Sequence, residues 1–140
     1  MVDERIVEEN KRLIEEYPFL LPRNRWTDQV PSNYDYSYTE LDAMPKAWRD
    51  KFGEKICKEL KKELINAGYL DQYRITQIKS KYGRLCWYDL GHTKKMQKII
   101  DKYTRLSRKI CEECGRRATI TTTGWVSHLC KKCYKKEFIR

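Results

Sequence analysis

Three stretches of the chain repeat their apolar residues with the period of a helix, and one alternates them with the period of a strand. From Asp3 to Tyr17, the residues Ile6, Leu13, Ile14 and Tyr17 fall on one face, with Glu8, Glu9, Glu15 and Glu16 outside it. This predicts a helix over about 3–17, capped by Asp3 and ended by Pro18. Trp48, Phe52, Ile56, Leu60 and Leu64 recur every four residues, joined by Cys57 and Ile65. They predict a helix over about 42–67, with Asp42 as cap, Pro45 in the first turn and Gly68 as left-handed C-cap. Met96, Ile99, Ile100, Tyr103 and Leu106 predict a third helix over about 93–108, capped by Thr93.

Between the second and third helices the period changes to two. Tyr73–Ile78 and Arg84–Tyr88 are β-prone runs around Lys79–Gly83, which predicts a hairpin over about 73–88. Leu85 and Trp87 share one face, Cys86 and Tyr88 the other, and Lys79, Lys81 and Arg84 make the turn basic. The stretch Phe19–Thr39, broken by Pro22 and Pro31, should be irregular, with Tyr34, Tyr36 and Tyr38 spaced for an edge strand. Asp89 and His92 are read as capping the loop after the hairpin rather than as an acid–base pair, because no second carboxylate lies near them.

The tail follows a different logic. In ICEECGRRATITTTGWVSHLCKKCY, the pairs Cys111/Cys114 and Cys130/Cys133 bracket fifteen residues that read as a β-hairpin. Two Cys-x-x-Cys turns present two thiolates each, already converged, as a tetrahedral Zn²⁺ at about 2.3 Å from each sulfur requires. Gly115 permits the tight turn after the first pair. With no apolar N-terminal run in the sequence, a reducing cytosol is expected, and metal ligation is favoured over disulfides. Four thiolates fill the tetrahedron, so the zinc is expected to be structural, with His128 beside the site rather than a ligand. The expected fold is therefore α+β: three helices around a central β-hairpin (residues 1–109), followed by a four-cysteine zinc-binding module (110–140) of zinc-ribbon or treble-clef type.

Charge changes this picture. The 140 residues carry a net +10, yet residues 1–93 have sixteen basic and sixteen acidic side chains. The last third has fourteen against four and holds the whole excess. Four thiolates and one Zn²⁺ offset only about two of these charges. A basic surface so confined attracts phosphate backbones or acidic protein faces. Its candidate residues are Arg116, Arg117, Lys131, Lys132, Lys135 and Lys136 around Trp125 and His128, with Lys94, Lys98 and Arg105 on the preceding helix. Arg23, Arg25 and Trp26 form a second cluster suited to stacking or phosphate contact. Ten Tyr and four Trp make the chain rich in aromatic side chains, and no apolar run is long enough to cross a membrane.

The segments LPRNRW, YDYSYTELDAMPKAW, KFGEKIC, YRITQIKSKYGRLCWYD and CEECG…TTTGW…LCKKC together resemble a family of small bacteriophage and prophage proteins. The resemblance spans about Tyr17 to Cys133 and implies a context, the bacterial host cytoplasm, rather than a mechanism. It also implies an accessory role toward nucleic-acid machinery or host immunity.

Three functions follow as expectations. The first is a zinc-stabilised binding module for nucleic acid or a complex that handles it. The second is a counter-defence inhibitor, such as an anti-CRISPR protein, acting on a host defence protein or its nucleotide signal. The third, a treble-clef nuclease, lacks its residues: between the cysteine pairs stand one His, no Asn and no carboxylate. Binding rather than catalysis is expected, and nothing in the sequence sets an oligomeric state.

Overall fold

The computed structural model describes residues 2–138. Helix α1 (Glu4–Glu16) begins where expected, with the Asp3 carboxylate accepting the Arg5 N–H. Only its second half faces the core. Ile6 is exposed, and the buried stripe consists of Asn10, Leu13 and the following Tyr17. Asn10 is buried because it donates to the Tyr36 carbonyl (2.8 Å), tying the irregular segment to the helix. That segment forms no strand. Tyr34, Tyr36 and Tyr38 gather into a cluster with ring centroids 4.9 and 5.3 Å apart. A positive φ at Tyr36 breaks the alternation there.

The long second helix is four pieces. Glu40–Ala43 is a 3-10 turn, capped by Thr39 with Asp42 in a reciprocal capping box. Pro45 precedes α2 (Lys46–Trp48), Arg49–Gly53 is a π turn, and α3 runs from Glu54 to Ala67. The spacing of the apolar stripe accounts for the π turn. At 100° per residue, each four-residue step overshoots a full turn by about 40°, so a regular helix would swing Leu64 roughly 160° away from Trp48. The extra residue of a π turn recovers about 100° of that drift. All five stripe residues are thereby buried, while Ile65 is exposed. Gly68 closes α3 at φ +79° as the C-cap.

Strands β1 (Ile75–Lys81) and β2 (Arg84–Asp89) pair antiparallel through a two-residue turn, Tyr82–Gly83, with both φ positive. The turn is tighter than the five residues expected. Ile78, Leu85 and Trp87 point into the core, and α4 (Lys94–Ser107) packs against β2 and α3. Ser107 of α4 is fully buried because its hydroxyl accepts the Leu85 N–H (2.9 Å) and donates to the Thr104 carbonyl (2.6 Å). Leu106, expected in the stripe, faces outward. In the loop after β2, Asp89 accepts the Gly91 N–H and lies 2.8 Å from the His92 ring, the capping arrangement expected there.

The C-terminal region departs from expectation. Strands β3 (Ile120–Thr121) and β4 (His128–Leu129) have two residues each and form a sheet separate from β1–β2. Helix α5 (Lys131–Phe138) follows, and residues 139 and 140 lie outside the described ones. The described residues thus hold four α-helices of eight residues or more, not three, and two small antiparallel sheets. The tail does not close into a zinc ribbon or treble clef. Its strands stop early because Thr122 bends the chain: its hydroxyl accepts the Ser127 N–H (2.8 Å) and donates to the Trp125 carbonyl (2.7 Å).

Candidate metal centre and the basic surface beside it

Local hydrogen bonds bring the four cysteines together. Ile110 bridges to Arg117, and the Cys111 N–H donates to the Arg116 carbonyl (2.6 Å). The Gly115 N–H then returns to the Cys111 carbonyl (2.8 Å), a turn that requires φ +81° and therefore favours glycine. A β-carbon at Gly115 would meet the Lys51 side chain in ordinary van der Waals contact (3.4 Å), because this knuckle sits against the π turn. On the other side, β4 delivers Cys130 to the start of α5, which carries Cys133 in its first turn. The Cys133 N–H points at Cys130 Sγ (3.4 Å) and holds that thiol down at about 7.

All four Sγ atoms lie within 4.8 Å of one another. Ligands 2.3 Å from one tetrahedral ion sit about 3.8 Å apart, so the cluster is near ligation geometry. Cys114 and Cys130, from different pairs, have sulfurs 3.5 Å apart. That is far longer than a disulfide of about 2.05 Å and suited to two ligands of one ion. Cys111 and Cys130 are buried, whereas Cys114 faces solvent. The cluster can hold a metal ion through four cysteines.

His128 is not part of it. Its Nδ1 lies 2.9 Å from Thr121 Oγ1 across the β3–β4 pair, and its ring abuts Gly83 so closely that a β-carbon there would come within 2.7 Å. Burial, with Arg108 nearby, holds its imidazole below the usual histidine range. His128 therefore seats the tail on the tip of the β1–β2 hairpin. A second tie is the Trp48 indole, which donates to the Ile110 carbonyl (3.0 Å), one residue before the first ligand. Glu112, between the cysteines of the first pair, accepts from Ser127 (3.1 Å) but its buried Oε2 has no partner among the described residues, and burial raises its carboxyl.

The basic candidates fall into separate groups. Arg116 and Arg117 are exposed on the knuckle, and Lys131, Lys132, Lys135 and Lys136 are exposed on α5. Trp125 stands at the tip of the Thr122–Ser127 loop, 87% exposed. Arg105 borders a groove of about 820 Å³ between α3 and α4, lined by the cations Lys51, Lys55, Lys102, Arg105, Arg108 and Lys109. Phe52, Tyr103, Leu106 and Ile110 supply its apolar lining, and no carboxylate is among the lining residues. Lys102 is held by Glu59 (2.5 Å), while none of the other five cations has an ion-pair partner among the described residues. Lys94 and Lys98, on the early turns of α4, do not line it.

The groove was not legible in the chain, because Lys51 and Lys55 belong to a region of zero net charge. Their i, i+4 spacing outside the buried stripe was the one available signal.

Arg23, Arg25 and Trp26 lie elsewhere. Arg23 donates to the Asp28 carbonyl (2.8 Å), Arg25 to the Thr76 carbonyl (3.3 Å), and Arg74 forks onto Asp28, so the arginines hold their own turn against the start of β1. Thr76 and Gly83 are separated by roughly 20 Å of strand, which puts this turn well away from the tail. Trp26 remains 85% exposed.

No family model, no curated protein and no solved structure matches this chain. The comparisons thus give no support to a particular phage or prophage family, and what stands of that resemblance is the four-cysteine, metal-capable cluster. No helix among the described residues is long and apolar enough to cross a membrane.

Proposed function

We propose that this chain is a zinc-stabilised binding protein for nucleic acid, with the metal in a structural role. Four cysteine sulfurs converging without a histidine or carboxylate favour a soft, tetrahedral ion, and Zn²⁺ meets that preference without redox chemistry. A full set of four thiolates leaves no position for water or substrate, which argues for scaffolding rather than catalysis.

The observation that carries the reading is the groove between α3 and α4. Six cations surround it, five of them without an ion-pair partner among the described residues, no carboxylate lines it, and its Ile110 end adjoins the knuckle. Unpaired cations crowded together repel one another, a cost that a polyanion relieves while releasing its own counterions. Arg116 and Arg117 extend the positive surface across the knuckle.

The test is titration of labelled duplex and single-stranded oligonucleotides onto zinc-loaded protein at two salt concentrations. Binding is expected to weaken steeply with salt, with a slope of about −0.9 for each phosphate neutralised on a duplex. The variant Lys51→Glu/Lys55→Glu/Arg105→Glu/Arg108→Glu should lose most of that affinity while keeping its zinc content. Wild-type affinity in that variant would refute the groove, and no binding at low salt would refute the reading altogether.

A further inference from the structure

The outward face of the β1–β2 hairpin carries cations and aromatic rings side by side. Register pairs Lys81 with Arg84, Lys79 with Cys86 and Gln77 with Tyr88 on that face, while Ile78, Leu85 and Trp87 turn inward. Tyr88 is 44% and Tyr82 65% exposed, although both are large aromatics. The Lys79 ammonium lies 5.8 Å from the Tyr88 ring centre, and Lys81 5.5 Å from that of Tyr82. None of Lys79, Lys81 and Arg84 has an ion-pair partner among the described residues, and no Asp or Glu occurs from Ile75 to Tyr88.

Tyr82 is the most informative of these residues. It occupies the first position of a two-residue hairpin turn at φ +56°, where Asn or Gly is strongly preferred and an aromatic side chain is strained. The turn is also clamped, since His128 of β4 packs on Gly83 next to it. The metal-bearing tail therefore holds the ring of Tyr82 out at the hairpin tip. A bare aromatic set among unpaired cations has two complements in one molecule: unpaired bases, which stack on the rings, and phosphates, which meet the lysines. A duplex offers the phosphates but keeps its bases stacked on each other.

Resting on the nucleic-acid reading, we infer that this open sheet face binds single-stranded nucleic acid, with Tyr82 and Tyr88 stacking on bases and Lys79, Lys81 and Arg84 contacting the backbone. The groove between α3 and α4 takes phosphate without regard to strandedness, and the sheet face supplies the preference for single strands.

The experiment uses the full zinc-loaded chain and fluorescein-labelled oligo(dT) and oligo(U) of about twelve nucleotides, each compared with a duplex of equal length. The variant Tyr82→Asn/Tyr88→Thr places a preferred residue in the turn and a β-former in the strand, so its melting temperature should be unchanged or higher. Its affinity for the single strands should fall at least about tenfold, and for the duplexes less than about twofold. Unchanged single-strand affinity in a folded variant overturns the inference and leaves the nucleic-acid reading standing. So does an equal loss on duplex. Failure of the wild-type chain to bind any of the oligonucleotides overturns both. A concentration-dependent dimer that the variant abolishes would show that a second copy of the chain covers this face, and would also overturn the inference.

Discussion

The helical body and the cysteine tail are built on opposite terms. The body has a continuous core of nineteen buried apolar residues, with Trp48, Phe52, Ile56, Leu60, Leu64, Leu85 and Met96 each 1% exposed or less. Among the described residues the tail has three buried ones in its own cluster, and two of them are cysteines. Apolar side chains contribute roughly 1.5–3 kcal/mol each when fully buried, which suffices for the body and leaves the tail far short of the entropy cost of ordering it. Segments too small for a core need a staple, and here a metal ion held by the four cysteines would supply one. Burial tolerates approximate placement, whereas ligation needs four atoms at defined positions. Hence the backbone hydrogen bonds at Cys111 and Gly115 shape the turn that aims the first pair of sulfurs.

Removing the metal from the proposed zinc site is the strongest way to break this contrast. Ligation of structural zinc contributes on the order of 10–16 kcal/mol of apparent folding free energy. Chelation, or Cys130→Ser, should unfold the tail while the body persists. Amide exchange would show Thr119–Leu129 losing protection, with Ile56–Leu64 unchanged. Loss of protection in both segments at once would mean that the body depends on the tail.

A smaller effect probes the tie between the two regions. Trp48→Phe keeps most of the apolar volume but leaves the Ile110 carbonyl without its indole donor. The expected cost is about 1–3 kcal/mol, read from the denaturant midpoint, and exchange at Cys111 and Gly115 should quicken with it. A midpoint shift without faster exchange would show that the hydrogen bond serves the body alone.

A third effect, comparable in size, concerns the body and depends on pH. Burial pushes the carboxyl of Glu40 up to about 7, well above its value in an unfolded chain. The folded state therefore binds more protons than the unfolded state between about pH 4.5 and 7, so stability falls as pH rises through that window. Glu40→Gln should abolish this fall, leaving stability at the acid end of the window little changed and raising it above the window. A series of denaturant midpoints across the window checks it, and the same slope in wild type and variant would refute it.

Some features followed directly from local chemistry. Asp3, Thr93 and Gly68 cap or close helices because a carboxylate, a hydroxyl and a missing β-carbon each meet a need of adjacent backbone. Leu85 and Trp87 share a buried face because strand side chains alternate. The four cysteines were legible as a cluster because two Cys-x-x-Cys turns carry most of their geometry within four residues each. Other features needed the folded chain. The four-residue spacing of the Trp48–Leu64 stripe contains the π turn only in hindsight, since a drift of about 40° per step matters once a flat core surface exists to be met.

The sequence by itself therefore determined the caps at Asp3, Thr93 and Gly68, the two faces of the hairpin and the four-cysteine cluster, all of which act over a few residues. Tertiary structure alone decided that Lys51 and Lys55 from one helical segment meet Arg105 and Arg108 from another across a groove. It also decided that His128 reaches Gly83 and that the tail's strands stop after two residues. Charge and aromatic surface become a site only when distant segments share a face. That convergence is set by how the core packs, and no local spacing encodes it.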